Sequence, residues 1–269
     1  MDTKLTGKTR IESDLIGARE IPAEALYGVQ TLRGIENFSI SKFRLSEYPL
    51  FIKGLAITKM AAAMANFELG LLTVEQKDAI IAACGEIIDG KHHDQFPVDM
   101  IQGGAGTTTN MNANEVIANR ALELMGHERG EYQYCSPNDH VNCSQSTNDA
   151  YPTAIHIGMY FKHLQLLPHL EELIASFRKK GEEFSQIIKM GRTQLEDAVP
   201  MTLGQTFNGF ASILQDEIAH LNEAAADFLV VNMGATAIGT GICAEPGYAE
   251  KCIAALREIT GWNIRLSSD

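Results

Sequence analysis

The hydrophobic pattern of the chain is helical over most of its length. Apolar residues recur at spacings of three, four and seven from Met201 to about Val231, as on one face of an α-helix. A second such pattern runs from Tyr151 to about Phe184. Helices of about 30 residues are roughly 45 Å long, which is typical of bundles and subunit interfaces. The sequence therefore predicts a mainly α fold that contains part of a long-helix bundle.

The first part of the chain carries shorter and more varied patterns. Residues 1–47 combine Gly, Pro and short alternating runs, which predict loops, short strands and a short helix. Thr73 stands three residues before Gln76, and this spacing predicts a capping box at a helix start. Strand patterns do not alternate with the helical ones, so the sequence does not predict a βαβ sheet. We therefore divide the chain into an N-terminal domain over residues 1–140 and a central helix-bundle domain over residues 141–269.

Composition and charge narrow the class of partner. Of 269 residues, 45% are hydrophobic and 21% are charged, as in an ordinary globular protein. The formal net charge of -12 argues against nucleic acid or an anionic membrane as a partner. Apolar runs stay well short of the roughly 18 residues of a membrane span, and residues 1–8 lack the apolar core of an export signal. Five cysteines without C-x-x-C spacing predict reduced thiols in a cytoplasmic protein.

Three polar stretches interrupt the helical patterns and carry the candidate chemistry. Residues 103–115 combine threonine hydroxyls with glycines, which allow close backbone approach to a ligand. Residues 138–152 are rich in hydroxyl and amide groups, with Asn148 or Asp149 as the expected N-cap of the next helix. Residues 191–200 form a third polar loop that leads into a long helix. Because a helix N-terminus offers free N–H groups and a partial positive charge, these stretches predict a site for a small polyanion.

Other motifs are weaker candidates for a site. The adjacent His92 and His93 point in different directions and lack a third ligand at suitable spacing, so a solvated loop is expected rather than a metal site. Residues 239–244 match G-x-G-x-x-A, but Pro246 interrupts the helix that a dinucleotide site requires. A nucleophilic pair of Cys143 with a histidine is left open, because polar neighbours alone do not show an activated thiol. The sequence thus predicts no cofactor and no metal ligand.

The three polar stretches resemble signature regions of a known superfamily. GAGTTTNMNANEVIANR, SQSTNDAYPTA and GRTQLEDAVPMTLGQ resemble the first two signatures of the aspartase/fumarase superfamily and the turn between them and the core helices. Residues 10–14 and 26–33 are similar to its aspartate ammonia-lyase branch, and the resemblance covers nearly the whole chain. The third signature, a loop with Gly-Ser-Ser and a downstream Lys-x-Asn, is not in this sequence. Since its serine is the base of the superfamily, we expect the base beyond Asp269 and no turnover by this chain alone.

The resemblance implies reversible elimination of ammonia from L-aspartate to give fumarate. Removing the proton beside a carboxylate produces a dianionic aci-carboxylate, and preformed neutral donors stabilise that intermediate more than the ground state. It also implies the mainly α aspartase/fumarase-type fold with a small N-terminal domain. Active sites of the superfamily collect their regions from three subunits, which implies a homotetramer with shared sites. Carried over by position, the residues that would contact substrate are Thr107, Ser146, Thr147, Asn148, Thr193 and Gln194.

Other interpretations are left open. A fumarate hydratase would share the fold, but fumarases resemble this chain less at three positions: they carry His in place of Gln194, Ser in place of Thr147 and usually Trp in place of Tyr27. Gln does not transfer a proton near neutral pH, so Gln194 is expected to hydrogen-bond only. Relatives that cleave argininosuccinate or adenylosuccinate fit the N-terminal residues less well. A non-catalytic helical fragment or assembly module is the alternative from a different class.

Overall fold

The computed structural model describes residues 7–268 of the chain, and it is mainly helical, which confirms the predicted fold class. The helices are α1 (Val29–Asn37), α2 (Pro49–Glu68), α3 (Val74–Ile88), α4 (Thr107–Leu124), α5 (Thr147–Glu183), α6 (Leu203–Ala225) and α7 (Tyr248–Thr260). The strands are β1 (Thr9–Asp14), β2 (Gly17–Pro22), β3 (Ile188–Thr193), β4 (Glu196–Thr202), β5 (Val230–Val231) and β6 (Arg265–Leu266). The described residues form two units: those up to Met159 with those from Leu229 onward, and Tyr160–Phe228. The domain boundary after residue 140 stays a prediction.

The core of the first unit lies between α2, α3 and α4. Its largest fully buried apolar side chains include Ile52, Leu55, Ile80, Ile87, Ile117 and Leu122. The start of α3 is fixed by the predicted capping box. Thr73 Oγ1 accepts from the N–H of Gln76 at 3.2 Å, and Gln76 Oε1 accepts from the N–H of Thr73 at 3.1 Å. This reciprocal pairing of two free N–H groups confirms the predicted helix start.

Helix α2 runs through the middle of this core. Within residues 7–268 it is the one helix long and apolar enough to cross a membrane, and 67% of that apolar stretch is buried inside the structure. Its Gly54 lies directly against the carbonyl oxygen of Ala154 in α5, and Gly158 in α5 lies against the backbone of α2 at Leu50 and Phe51. Two glycines therefore allow the backbones of α2 and α5 to approach closely.

Substitution of these glycines tests that close approach. We expect Gly54→Ala to lower the free energy of unfolding by about 1–3 kcal/mol, because a methyl group there meets a backbone oxygen that has no room to move. Gly85→Ala in α3 is the matched control, since nothing lies within 4 Å of the added carbon. The control should raise stability by roughly 0.5–1 kcal/mol, as Ala replaces Gly in a helix. Urea unfolding of both variants checks the opposite signs, and equal shifts would contradict the packing described.

The second unit contains a β-hairpin where the sequence predicted a polar loop. Strands β3 and β4 pair antiparallel, with Ile188 opposite Thr202 and Thr193 opposite Glu196. Gln194 and Leu195 form the two-residue turn and have φ values of 48° and 72°. The loop prediction for residues 191–200 is therefore wrong. Neither strand has a clear alternation of apolar and polar positions, and the turn lacks the Asn-Gly or Asp-Gly pair that marks a hairpin.

The end of the last long helix also differs from the prediction. The helical pattern was expected to reach about Val231, but α6 ends at Ala225 and is followed by a 3-10 turn, Ala226–Leu229. Val230 and Val231 then form β5, which pairs in parallel with β6. β-Branched side chains favour extended backbone, and the partner strand is too distant in sequence for local periodicity to show it. The predicted helical conformation of these two valines is therefore wrong, because they lie in a strand.

Candidate functional site

The start of α4 is shaped by a run of left-handed backbone. Gly104, Ala105 and Gly106 have φ values of 68°, 50° and 97°, and the helix begins at Thr107. A side chain at Gly106 would overlap the ring of Tyr151 in α5, so glycine is required there for both its conformation and its size. Thr107 is exposed, and its hydroxyl donates to the carbonyl of Gly104 at 2.7 Å.

A π-helical turn, Pro137–Val141, precedes α5. Ser136 accepts the N–H of Asp139 at 3.1 Å, while His140 Nδ1 accepts the N–H of Ser136 at 2.8 Å. His140 Nε2 lies 3.2 Å from Gln76 Nε2, so both ring nitrogens have neighbours. Burial lowers the pKa of His140, which keeps the ring neutral near pH 7.

The N-cap of α5 is Ser146, two or three residues before the predicted caps Asn148 and Asp149. Its hydroxyl accepts the N–H of Asn148 at 3.2 Å, and Asp149 Oδ1 accepts the N–H of Ser146 at 3.0 Å. The prediction of Asn148 or Asp149 as N-cap is therefore wrong, since both lie in the first turn of α5. Asp149 instead acts as the reciprocal member of the cap, a role that a carboxylate three residues into a helix performs well.

The starts of α4 and α5 adjoin. Asn110 Nδ2, one turn into α4, donates to Thr147 Oγ1 at 3.1 Å, and Gly106 lies against Tyr151. Because Thr147 Oγ1 accepts in this contact, its own hydroxyl hydrogen stays available to donate. Two helix N-termini thus converge and bring the predicted residues Thr107, Ser146, Thr147 and Asn148 into one region.

A second segment, residues 232–237, is hydrogen-bonded to the first turn of α5. Asp149 is fully buried, and its Oδ2 accepts the N–H groups of Gly234 at 3.1 Å and Thr236 at 2.9 Å. Burial raises the pKa of Asp149, while these N–H groups oppose the rise. Asn148 is exposed, and its Nδ2 donates to the carbonyl of Ala237 at 2.8 Å. Sequence reasoning did not find this segment, because its contacts with Asp149 join residues 85 and 87 positions apart in the sequence.

A cavity of about 490 Å³ opens beside the loop that precedes α5. Most of the residues that line it are of polar type, and they include the predicted residue Ser146 together with Thr236 from the second segment. Cys143 also lines it, and burial raises the pKa of this thiol. A raised pKa leaves less thiolate, so the structure gives no support to Cys143 as an activated nucleophile.

Thr193 and Gln194 lie in the second unit, at the tip of the β3–β4 hairpin. Thr193 is the last residue of β3, and Gln194 is the first residue of the turn. Both are exposed. Two successive left-handed residues suit a tight hairpin turn, but Gln and Leu adopt that conformation less readily than Asn and Gly. A strained and exposed tip is a common feature of residues that serve a ligand or a partner.

The sequence matches a protein family described as lyase over residues 17–268. The chain belongs to this lyase family. Curated relatives named aspartate ammonia-lyase include one from Pseudomonas canavaninivorans, 57% identical over 253 residues, which are 94% of this chain and 53% of the relative. The one from Escherichia coli (strain K12) is 53% identical over 259 residues, 96% of this chain and 54% of the relative. The chain spans about half the length of the curated relatives it matches.

Solved structures agree with this assignment. The cobalt-bound fumarate lyase:delta crystallin from Brucella melitensis has a TM-score of 0.95 and 52% identity, covering 97% of this chain and 57% of that protein. The class II fumarase from Schistosoma mansoni has a TM-score of 0.88 and 36% identity, covering 94% of this chain and 53% of that protein. The superfamily resemblance drawn from the motifs is confirmed.

Sequence reasoning missed one residue, Lys59, which contacts the loop that leads into the candidate site. Lys59, in α2, is 0% exposed. Its Nζ donates to Asn142 Oδ1 at 2.9 Å and to Gln145 Oε1 at 2.8 Å. A single lysine inside the apolar, alanine-rich run of residues 54–65 was the available signal, because lysine is rarely buried without partners. The polar loop before α5 is therefore hydrogen-bonded to a buried lysine.

Proposed function

We propose that this chain supplies the carboxylate-binding part of an aspartate ammonia-lyase, which converts L-aspartate reversibly into fumarate and ammonia. The observation that carries the proposal is the identity of 53–57% with relatives of that name across nearly all of this chain. Gln194 at the hairpin tip supports elimination of ammonia over hydration. A glutamine side chain donates and accepts hydrogen bonds but does not transfer protons near neutral pH.

The converging helix starts suit the anion that forms during this reaction. Removing the proton beside the carboxylate places a second negative charge on its oxygens. Ser146, Thr147 and Asn148 offer neutral donors beside the positive end of α5, and Thr107 begins the adjoining α4. Donors that are already oriented stabilise developing charge without reorganising. We assign these four residues to the substrate, with Thr147 facing the carboxylate on which the charge develops.

Thr193 and Gln194 complete the proposed site from a different subunit. Their exposed position at a hairpin tip is compatible with insertion into a neighbouring copy of the chain. None of the six assigned residues matches the third-signature serine that serves as the base in the superfamily. We therefore assign proton removal to a residue outside this set, in the part of the relatives' length that this chain does not cover. We propose no metal ligand and no cofactor-binding residue among these side chains.

Substrate choice tests the proposed function. The longest natural form of the protein should release fumarate from L-aspartate and should not hydrate fumarate to malate at an appreciable rate. The ultraviolet absorbance of fumarate follows both reactions in one instrument. Preference for malate would overturn the assignment in favour of a hydratase, and inactivity towards both substrates would favour a non-catalytic assembly module.

We also propose a homotetramer with shared active sites. The second unit leaves large apolar side chains exposed along its two helices, including Leu164, Leu166, Leu173, Phe210 and Ile213. Exposed apolar surface of this kind is typical of subunit interfaces. The five cysteines are free thiols, which supports the cytoplasm as the proposed compartment.

Self-association should be measurable with the chain itself. Sedimentation at micromolar concentration is expected to show a tetramer, and Ile213→Asp should weaken it because a charge would be buried at an apolar contact. His169→Asp is the matched control, since it places the same charge at a polar and highly exposed position on α5. A stable monomer would remove the interface and, with it, the site shared among subunits.

A further inference from the structure

Lys59 is buried, and burial of its side chain is unfavourable unless the amine hydrogen-bonds to the loop before α5. Its side chain is wholly buried in α2, and a buried ammonium group is unfavourable unless it is hydrogen-bonded. Both acceptors observed, Asn142 Oδ1 and Gln145 Oε1, come from the short loop between the π-helical turn and α5. Lys59 Nζ therefore contacts the segment that ends in Ser146, the N-cap of the proposed substrate helix.

The contacts of Asn142 lead from Lys59 to Thr147. Asn142 Oδ1 also accepts from Asn110 Nδ2 at 3.1 Å, and Asn114 Nδ2 lies at 3.2 Å from the same oxygen. The Nδ2 group of Asn110 in turn donates to Thr147 Oγ1 at 3.1 Å. One oxygen thus collects donors from α2 and α4, and one amide group joins it to the Thr147 hydroxyl. The position of Asn142 consequently sets the direction in which Thr147 can donate.

Gln145, the second acceptor of Lys59, joins the lysine to the backbone of the loop. Its Oε1 accepts from Lys59, while its Nε2 donates to the carbonyls of Val141 at 2.9 Å and Cys143 at 3.1 Å. Asn66, two turns along α2 from Lys59, donates to the same Cys143 carbonyl at 2.9 Å. Because both amide ends of Gln145 are engaged, the loop has one geometry at this point. Without these hydrogen bonds, the loop would sample several backbone conformations.

The titratable groups that face Lys59 come from three other helices. They are Asp149 at the start of α5, Cys84 in α3 and Cys252 in α7. Burial raises the pKa of both thiols, that of Cys252 to about 12, so they are neutral near pH 7. Burial lowers the pKa of Lys59 to about 7, and the charge of Asp149 opposes this. Asp149 accepts hydrogen bonds from residues 234 and 236. The loop before α5 is therefore bounded by two buried groups, Lys59 and Asp149.

We propose that Lys59 is a positioning residue for the ammonia-lyase reaction: through Asn142 and Gln145 it fixes the loop that orients the Thr147 hydroxyl and the start of α5. This inference rests on the proposed function. It assigns no contact between Lys59 and the substrate, because the lysine is enclosed by the loop it holds. Its effect should therefore depend on Thr147.

A double-mutant cycle in the longest natural form tests that dependence. Lys59→Met should lower kcat by roughly tenfold or more with a smaller change in KM, since two buried acceptors, Asn142 and Gln145, would lose their donor. Lys59→Met should lower kcat much less when Thr147→Val is already present, because the group that it orients is then gone. Lys251→Met is the control, as Lys251 pairs with Glu68 at the surface and does not face the loop. Equal factors in both backgrounds would overturn the proposal.

Hydrogen exchange tests the same loop without any activity. In residues 1–269, Lys59→Met should speed exchange of the amide hydrogens of Gln145, Asn148 and Ala150, whose acceptors lie in the loop. Exchange in α3 should be unchanged. If Lys59→Met fails to fold, Gln145→Met removes one of the two acceptors at a half-buried position and should give the same local result. Unchanged loop exchange would overturn the proposal, whereas inactivity of the long form with faster loop exchange would count only against the proposed function.

Discussion

Thr147→Val in the longest natural form is expected to lower kcat by about 10²–10³ while KM changes much less. Valine keeps the shape of threonine but removes the hydroxyl that Asn110 holds in place at 3.1 Å. In the proposed reaction that hydroxyl is needed most when the second negative charge appears on the substrate carboxylate. Steady-state rates of fumarate release at several L-aspartate concentrations separate kcat from KM.

Thr153→Val provides the matched control, one to two turns further along α5. Thr153 is fully buried, and its Oγ1 has no hydrogen-bond partner within the described residues. Replacing an unpaired buried hydroxyl by a methyl group is neutral or stabilising. Turnover by this variant should equal that of the wild type. If Thr147→Val also retains wild-type turnover, the polar start of α5 has a structural role and the assignment of donors is wrong.

Residues 1–269 expressed alone are expected to release no fumarate, which is the largest effect that we predict. The proposed donors supply no base for a carbon-bound proton. His140 has neighbours at both ring nitrogens, and Lys59 is enclosed by the loop above it. Proton removal is itself the difficult step, so donors alone should not sustain turnover.

The assay compares residues 1–269 with the longest natural form at equal concentrations and under identical conditions. An inactive short form beside an active long form would agree with a base outside residues 1–269. Comparable rates would place a base within this chain. In that event His140 and Ser144 would be replaced first, because both lie in the segment that leads into the N-cap of α5.

The sequence predicted the helical parts of the site well because their signals are local. Glycines followed by threonines indicated the start of α4, and a hydroxyl-rich run before Pro152 indicated the start of α5. The cap itself was misplaced by two or three residues, since Ser146, Asn148 and Asp149 are all good N-cap residues. Local preference alone does not choose among neighbouring caps, whereas the reciprocal bond that Asp149 Oδ1 accepts from the N–H of Ser146 does.

The parts that escaped prediction depend on contacts distant in sequence. Lys59 meets Asn142 and Gln145 from a different helix, and the segment around Gly234 meets Asp149. Neither pairing leaves a periodic signal. The β3–β4 hairpin was missed for a different reason: its turn uses Gln194 and Leu195 instead of the Asn-Gly or Asp-Gly pairs that mark such turns in a sequence.

The central claim is that the adjoining starts of α4 and α5 bind the carboxylate of L-aspartate while it becomes an aci-carboxylate. The most direct measurement is fumarate release from L-aspartate by the longest natural form, with the wild type, Thr147→Val and Thr153→Val assayed together. The account predicts normal release by the wild type and by Thr153→Val, and loss of nearly all turnover in Thr147→Val at a similar KM. Equal turnover by the three proteins, or release of fumarate from malate in preference to L-aspartate, would contradict it.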